Sequence, residues 1–315
     1  MASAATLANI SLLGHLACLT FFLVHRPLIL LDISQLSRPI FGVNFVLMQL
    51  WMGAHHWVSR RSFGLLAGFV TIQAAFWWVT IYIDSVLSKG WIYGVHWNAP
   101  EFEDTAMIAG VPLAPLLGTQ PLGYASLILT DIITFGSARR TLHTHRTTVP
   151  QLPLLALLDA MLFTSYDLCI DPVSTAAKLY FWKDAADHPE LTYFGVPVQN
   201  YVGWMCTMGT FFLVYRTIEH FVPPREDDEK GRKGEEEEEG SLFVWAPVLA
   251  FVFNLAWLVA QAGSNALRVV MIAAMGVPAL MAASRIFART GVVEEDGRKE
   301  VWDRGIRYEG KVHEQ

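Results

Sequence analysis

The hydrophobic pattern divides the chain into eight long apolar stretches, with shorter polar segments between them. Most of these stretches have about the 20 residues that a helix needs to cross the hydrocarbon core of a bilayer. We therefore predict an all-α fold, a polytopic transmembrane helical bundle of about eight helices (seven or eight). The predicted helices cover approximately residues 5–24, 40–58, 63–84, 122–136, 151–170, 199–221, 242–261 and 264–287.

Two stretches between the helices have a different pattern, because proline and glycine interrupt their apolar residues. We expect residues 91–121 to be irregular rather than one straight helix, and we expect the same of residues 171–198. The pair Asp171-Pro172 is typical of a chain that turns out of a helix. Helix five is therefore predicted to end at this pair.

Composition favours a membrane protein, because 53% of the 315 residues are hydrophobic and 17% are charged, too few for a soluble surface. The net charge of −6 comes mainly from one segment, 225–239, which holds nine acidic and four basic residues. We predict a disordered acidic cytosolic loop at 225–240. The transmembrane catalytic domain is predicted to be 1–288, and a polar C-terminal tail follows at 289–315. Because the rest of the chain is nearly neutral, nucleic acid is not a predicted partner.

The distribution of lysine and arginine predicts the orientation. These residues concentrate in the connections after helices two, four and six and in the tail, whereas 85–121 and 171–198 carry few of them. An excess of lysine and arginine marks the cytosolic side. We expect a multi-pass integral membrane protein of the endoplasmic reticulum with both termini in the cytosol.

Several kinds of chemistry lack their residues in this sequence. We find no Walker or dinucleotide-binding glycine pattern, no lysine in a predicted helix that could anchor retinal, and no ladder of charged residues like that of a proton pump. No aspartate-rich metal cluster lies in a helix, and the three cysteines have no CxxC spacing. His55 and His56 are expected to face the membrane interface. We predict neither a metal nor a cofactor, and the sequence does not identify which proteins, if any, are partners.

Polar side chains meet at one predicted depth of the bundle. Asp84 ends helix three, and Asp167 and Asp171 lie four residues apart at the end of helix five, so that the pair shares a helical face. Asn200 and Trp204 have the same spacing at the start of helix six. Ionisable residues within a membrane are functional candidates. The structural alternatives are that Asp171 and Asn200 cap their helices and that Asp84 lies in interfacial water.

Two motifs carry a resemblance to a known family. The first is "SYDLCIDPV", with Asp167, Leu168, Asp171 and Pro172, and the second is "YFGVPVQNYVGW" (193–204). They resemble the DL-x-x-DP and GVP-x-x-N-x-x-GW patterns of the carotenoid hydratases, membrane proteins of the bisanhydrobacterioruberin hydratase type. The resemblance covers roughly 80–215 and extends to similar fungal membrane terpene cyclases. In the looser upstream part, Asp84 stands where the family has Glu, and His96 and Trp97 replace tyrosines.

The resemblance implies a lipophilic substrate with a terminal alkene. The hydratases add water to the terminal double bond of a linear carotenoid, and the cyclases close a linear isoprenoid tail by protonating its terminal alkene. Both reactions begin when an acid delivers a proton to carbon and forms a tertiary cation. Burial or a neighbouring carboxylate keeps a carboxylic acid neutral, since the pKa of a buried carboxyl can rise by roughly 3–5 units.

The acid pair suits this chemistry. One carboxyl is expected to stay protonated as general acid while its partner holds the charge. We expect Asp167 to be donor or partner, supported by Asp171 and Asp84. Aromatic faces stabilise a cation by about 0.5–2 kcal/mol each, and Asn200 could orient a water or bind an acid. The substrate-binding candidates are Asn200, Trp204, Trp91, Tyr93, Trp97 and Tyr166.

The leading hypothesis is an integral membrane terpene cyclase that acts on a linear prenyl chain, the tail of a meroterpenoid. The alternative enzyme is a hydratase of a linear isoprenoid. The alternative from another class is a non-catalytic membrane protein that binds an isoprenoid. In each case the predicted partners are the isoprenoid and membrane lipid.

Overall fold

The computed structural model describes residues 4–25, 37–60, 62–98, 107–109, 111–138, 147–223 and 241–290. Within these ranges the chain forms eight long helices, which confirms the all-α prediction. They are α1 (Ala4–His25), α2 (Ser37–Arg60), α3 (Phe63–Tyr82, continued by a π-helical turn Ile83–Leu87), α4 (Leu113–Phe135), α5 (Leu152–Ala176), α6 (Val198–Phe221), α7 (Ser241–Gln261) and α8 (Asn265–Met271, a π-helical turn Ile272–Gly276, and Val277–Thr290). The predicted acidic loop and most of the predicted tail lie outside the described residues.

Five of the helices are long and apolar enough to cross a membrane, namely α1, α3, α5, α7 and α8. The chain is therefore a membrane protein. Helix α4 lies at the centre and packs against α2, α3, α5, α7 and α8. Its residues 124–132 are buried on every side, as expected of a helix that other helices surround.

Two predicted helix boundaries were wrong. Helix α4 begins at Leu113, nine residues before the predicted start, and contains Pro121. Helix α5 continues through Asp171 and Pro172 to Ala176. A proline removes one backbone hydrogen bond. In an apolar environment, ending the helix there would leave more backbone groups unpaired. Helices of membrane proteins therefore continue through a proline when neighbouring groups satisfy the freed backbone atoms. Near Pro121, the Gln73 side chain of α3 donates to the Thr119 carbonyl at 2.9 Å, so a polar contact joins α3 and α4 at this level.

Short strands cover one end of the bundle, here called the site end. It holds the C-terminal ends of α3 and α5 and the N-terminal ends of α4 and α6. Three antiparallel pairs form there: β1 (His96–Asn98) with β4 (Tyr180–Trp182), β2 (Met107–Ile108) with β3 (Val111–Pro112), and β5 (Thr192–Tyr193) with β6 (Val196–Pro197). The β1–β4 pair joins the two stretches that were predicted to be irregular.

The cover is attached to the helices by side chains of the two stretches. The Trp182 indole donates to the Thr175 hydroxyl at 3.1 Å, and the Trp78 indole donates to the Ile108 carbonyl at 3.2 Å. The β5–β6 hairpin turns at Phe194 and Gly195, whose φ angles are 48° and 84°. Two consecutive residues with positive φ are typical of the tight hairpin turn that favours glycine. The Phe-Gly pair of the second motif therefore builds this turn.

A cluster of five charged side chains lies at the opposite end of the bundle. Arg216 contacts both oxygens of Asp159, at 2.6 and 2.7 Å, and Asp131 at 2.7 Å. Arg60 pairs with Asp131 and, at 3.0 Å, with Glu219. All five side chains are at most 7% exposed. The sequence analysis missed this cluster, because its residues come from four helices and form no ladder within one.

The prediction for the two histidines was also wrong. His55 and His56 are fully buried next to the charged cluster rather than at the interface. His55 contacts the Tyr124 hydroxyl at 2.7 Å, and His56 contacts the Tyr215 hydroxyl at 2.9 Å. No group of three or more histidine, cysteine or acidic side chains in the described ranges is arranged to hold a metal ion.

Candidate active site

The centre of the site is an amide that bridges two carboxyl groups. The Asn200 Nδ2 atom donates to Asp167 Oδ2 at 3.2 Å and to Asp171 Oδ2 at 2.7 Å. An amide nitrogen carries two hydrogens, so this geometry uses both. Asp167 and Asn200 are buried, and Asp171 is half-buried. Helices α5 and α6 thus bring Asn200 to an acid pair that lies 33 and 29 positions earlier in the sequence.

The helix continuation at Pro172 sets the position of the two acids. Because α5 runs to Ala176, Asp167 and Asp171 lie within its last three turns rather than at its end. Asp159 of the charged cluster lies eight residues before Asp167, about 12 Å away along the axis. The site end and the charged cluster therefore lie at different depths of the same helix.

The third acid, Asp84, organises the segment that follows α3. Its Oδ1 atom accepts hydrogen bonds from the backbone N–H groups of Ile92 and Tyr93, at 2.5 and 3.0 Å. The carboxyl is completely buried. Its Oδ2 atom has no hydrogen-bond partner among the described residues. Asp84 thus fixes residues 91–93 against the bundle, and one of its oxygens remains available.

Tyr93 connects this segment to α6. Its hydroxyl lies 2.8 Å from the Thr207 hydroxyl and donates to the Thr80 hydroxyl at 3.1 Å. Its ring lies 4.9 Å from the ring of Trp204, measured between centroids. Burial raises the pKa of Tyr93 to about 12, and the carboxyls of Asp84 and Asp167 act in the same direction. The phenol is therefore neutral at physiological pH and lies within electrostatic range of both acids.

A glycine allows this close approach. A Cβ atom on Gly203 would lie 2.7 Å from the Tyr93 ring and 2.8 Å from the Ile92 carbonyl oxygen. Gln199, one turn earlier on α6, donates to the carbonyls of Gly90 and Trp91. The Gly-Trp pair of the second motif therefore places Trp204 and the 91–93 segment in contact. On its other side, the Trp204 ring lies 5.8 Å from Phe163 of α5.

The structure does not gather all the predicted site residues. The Trp91 side chain is 77% exposed, and Tyr166 is half-buried against the main apolar core. The backbone of Trp97 lies in β1, but its side chain lies outside the described residues. The polar side chains of the turn between α7 and α8 bind within that turn: Arg268 donates to the Asn265 side chain and the Ala262 carbonyl, both at 3.1 Å.

Two tyrosines that the sequence analysis did not select meet at this end of the bundle, and Tyr201 lies within electrostatic range of Asp171 and Asp167. Tyr201 follows Asn200 on α6, and Tyr193 lies in the β5–β6 hairpin; their rings meet edge to face with centroids 5.6 Å apart. Neither hydroxyl has a hydrogen-bond partner among the described residues, and both oxygen atoms are buried. Both tyrosines belong to the second motif, so this motif was the sequence signal that could have identified them.

The fold and the site define a class: an integral membrane helical protein with a buried pair of carboxyl groups next to aromatic side chains. The family model described as carotenoid biosynthesis protein matches residues 41–281. The chain belongs to this family. Membership supports a function in isoprenoid or carotenoid metabolism at a membrane. The comparison with curated proteins gave no match, and the comparison with solved structures gave none.

Proposed function

We propose that the protein is an integral membrane terpene cyclase that protonates the terminal alkene of a linear isoprenoid chain and cyclises the resulting cation. The observation that carries this proposal is the bridge of Asn200 between Asp167 and Asp171 in a buried setting. Two carboxyl groups that share one neutral donor cannot both be charged without strong repulsion. One of them therefore holds a proton that it can deliver.

Asp167 is the proposed donor. It is more buried than Asp171, and its hydrogen bond from Asn200 is the longer of the two, 3.2 against 2.7 Å. Hydrogen bonds that a carboxylate accepts favour its charged form, and the shorter bond goes to Asp171. Asp171 is therefore the proposed carboxylate partner, which stabilises the cation and helps to return the proton.

The proposed reaction balances without a cofactor. The Asp167 O–H bond breaks, and its proton forms a C–H bond at one alkene carbon while the other carbon becomes a tertiary cation. The electron pair of the next alkene then forms a C–C bond. The final cation loses a proton to a carboxylate, so the product is an isomer of the substrate. General acid catalysis of this kind contributes about 10²–10⁴-fold.

Aromatic side chains support cyclisation over hydration. Tyr93, Phe163 and Trp204 present rings beside the acids, and each ring stabilises a cation by about 0.5–2 kcal/mol. Both N–H groups of Asn200 are occupied by the carboxyls, so they are not free to hold an attacking water. The proposed substrate is the prenyl tail of a meroterpenoid, and a hydratase of a linear carotenoid is the second candidate, favoured by the family match.

The decisive test is mass spectrometry of products formed by membranes in heavy water. The substrates are farnesyl hydroquinone, geranylgeranyl hydroquinone and the linear carotenoid lycopene. A product isomeric with its substrate except for one deuterium on carbon supports the cyclase, once NMR has excluded migration of the double bond. A product heavier by the elements of water identifies a hydratase. No conversion of any substrate favours the isoprenoid-binding protein.

A matched pair of variants assigns the chemistry to the site. Asp167→Asn keeps the shape of the side chain but removes the acid, and we expect turnover to fall by at least about 10²-fold with unchanged expression. Glu190→Gln makes the same change at an exposed acid on the same side of the bundle and should keep full activity. Full activity of Asp167→Asn would remove Asp167 from the mechanism.

We propose the endoplasmic reticulum as the location, with both termini in the cytosol. In that orientation the charged cluster lies towards the cytosol and the acid pair towards the lumen. Epitope tags at the two termini should be cleaved by protease in sealed microsomes. Protection of either tag would contradict the proposed orientation.

A further inference from the structure

The two buried hydroxyls beside the acid pair need an explanation. A buried hydroxyl without a partner costs about 1–3 kcal/mol, so such groups in a stable protein indicate a bound water or ligand. The Tyr201 side chain is buried, with 7% exposure for the residue. Tyr193 is half-buried, but its hydroxyl oxygen is buried too. Because the two rings are in edge-to-face contact, one shared polar site is the simplest explanation for both hydroxyls.

The position lies between the surface and the acids. Tyr201 packs against Trp182 and Val196 of the strand cover, and Tyr193 lies at the edge of the same apolar cluster. The Tyr201 phenol lies within electrostatic range of Asp171 and Asp167, and Asp171 has the larger effect. No direct hydrogen bond joins the phenol to Asp171 within the described part of the chain. A gap of this kind between polar groups suits a bridging water.

We propose that the hydroxyls of Tyr193 and Tyr201 bind water next to Asp171 and that solvent protons reach the acid pair through this water. This inference rests on the proposed function, because it supplies the proton that the donor acid uses. Tyr193, in the hairpin, would be the outer end of the route and Tyr201 the inner end. Asn200, whose Nδ2 atom donates to both carboxyls, holds Asp171 beside the donor Asp167, and the proton passes from one carboxyl to the other through bound water.

The proton balance defines what the route does. After the first step, the donor is a carboxylate and its proton is bonded to carbon. The acid pair can recover a proton from the final cation or from solvent. In the proposed route, water donates a proton to Asp171 and takes another from its outer neighbour. Each hydroxyl that gives a proton inward takes one from the solvent side, so each tyrosine ends with its proton. Burial raises the pKa of Tyr193 to about 12, and its phenol therefore remains neutral throughout.

The first test needs no substrate. Infrared spectroscopy of the purified full-length protein follows the C=O band of the protonated carboxyl as it shifts after transfer to D2O. In Tyr193→Phe, Tyr201→Phe and the double variant, we expect this exchange to slow by about tenfold or more, the effect of losing about 1.4 kcal/mol of hydrogen bonding. Tyr82→Phe, which removes the hydroxyl of a tyrosine near the end of α3, is the control and should exchange like the wild type.

Thermal stability separates this role from a structural one. Each Tyr→Phe change removes a hydroxyl that no described residue binds, so we expect an unchanged or slightly higher unfolding temperature. A large loss of stability together with an unchanged exchange rate would assign the hydroxyls a structural role and overturn the proposal. Exchange at the wild-type rate in the double variant would overturn it as well, whatever the stability.

The second test uses the product formed from geranylgeranyl hydroquinone over many turnovers in D2O. The wild type should place nearly one deuterium on carbon per molecule. If the route is slowed, the proton taken from one substrate is passed to the next, so the double variant should give product with much less deuterium. Equal deuterium content in the two proteins would contradict the route and leave the cyclase intact. Absence of both product and protonated-carboxyl band in the wild type would instead overturn the proposed function.

Discussion

Gly203 offers the sharpest test of how the site is assembled. Replacing it with alanine puts a Cβ atom 2.7 Å from the Tyr93 ring and 2.8 Å from the Ile92 carbonyl oxygen. Ordinary contacts of a Cβ atom are 3.4–4 Å, so the 91–93 segment must move away from α6 by several tenths of an ångström. A flexible side chain could turn aside, but the Ile92 carbonyl is backbone, and the Asp84 carboxyl holds the adjacent N–H groups.

The expected effect on stability is small, because two effects oppose each other. Overpacking costs about 1–3 kcal/mol, and replacing glycine with alanine within a helix returns up to about 1 kcal/mol. The effect on turnover should be larger, since a misplacement of about 1 Å can cost about 10²-fold in rate. We therefore expect Gly203→Ala to fold with a slightly lower unfolding temperature and to lose roughly 10- to 100-fold of its activity.

Gly209→Ala is the matched control on the same helix. A Cβ atom there would lie 3.7 Å from the Ala160 Cβ atom, an ordinary contact. This variant should gain up to about 1 kcal/mol and keep its activity. The assay is the conversion of a prenylated hydroquinone by membranes with equal amounts of each protein. If the activity of Gly203→Ala is instead within twofold of the wild type and its products are the same, contact between α6 and the 91–93 segment does not shape the site.

Three other substitutions test separate parts of the molecule. Arg216→Met leaves buried carboxylates unpaired and should lower the free energy of unfolding in detergent by about 3–5 kcal/mol. The control Arg285→Met changes an exposed arginine with one hydrogen bond at 3.1 Å and should stay within about 0.5 kcal/mol of the wild type. Equal losses of stability in the two variants would contradict the importance of the charged cluster. Asn200→Leu removes both hydrogen bonds to the acid pair and should lower turnover at least about tenfold. Thr210→Val, on the exposed face of α6, is the control. Wild-type turnover in Asn200→Leu would show that the Asn200 bridge is not needed for the reaction. Tyr93→Phe loses two hydroxyl contacts and should lower the free energy of unfolding by about 1 kcal/mol. Tyr82→Phe is the control. If Tyr93→Phe lowers the unfolding temperature by less than Tyr82→Phe does, this expectation is wrong.

The sequence alone determined the number and the type of the helices. Apolar stretches of about 20 residues have one stable arrangement in a bilayer, because a helix satisfies its own backbone hydrogen bonds there. The spacing of Asp167 and Asp171 likewise placed both acids on one face. Both predictions depend on local periodicity, which neighbouring helices do not change.

Only the tertiary structure decided which polar groups meet. Proline residues within α4 and α5 would end a helix in water, but packing and the apolar surroundings keep these helices intact. The predicted start of helix four at residue 122 and the predicted end of helix five at Asp171-Pro172 were therefore wrong. The bridge of Asn200 and the contact of Tyr193 with Tyr201 depend on the approach of α6 to α5 and of the β5–β6 hairpin to both. The buried charged cluster combines five residues from four helices, and no pattern along one helix predicts it. Such contacts depend on distances between elements that are far apart in sequence, and these distances are set by packing.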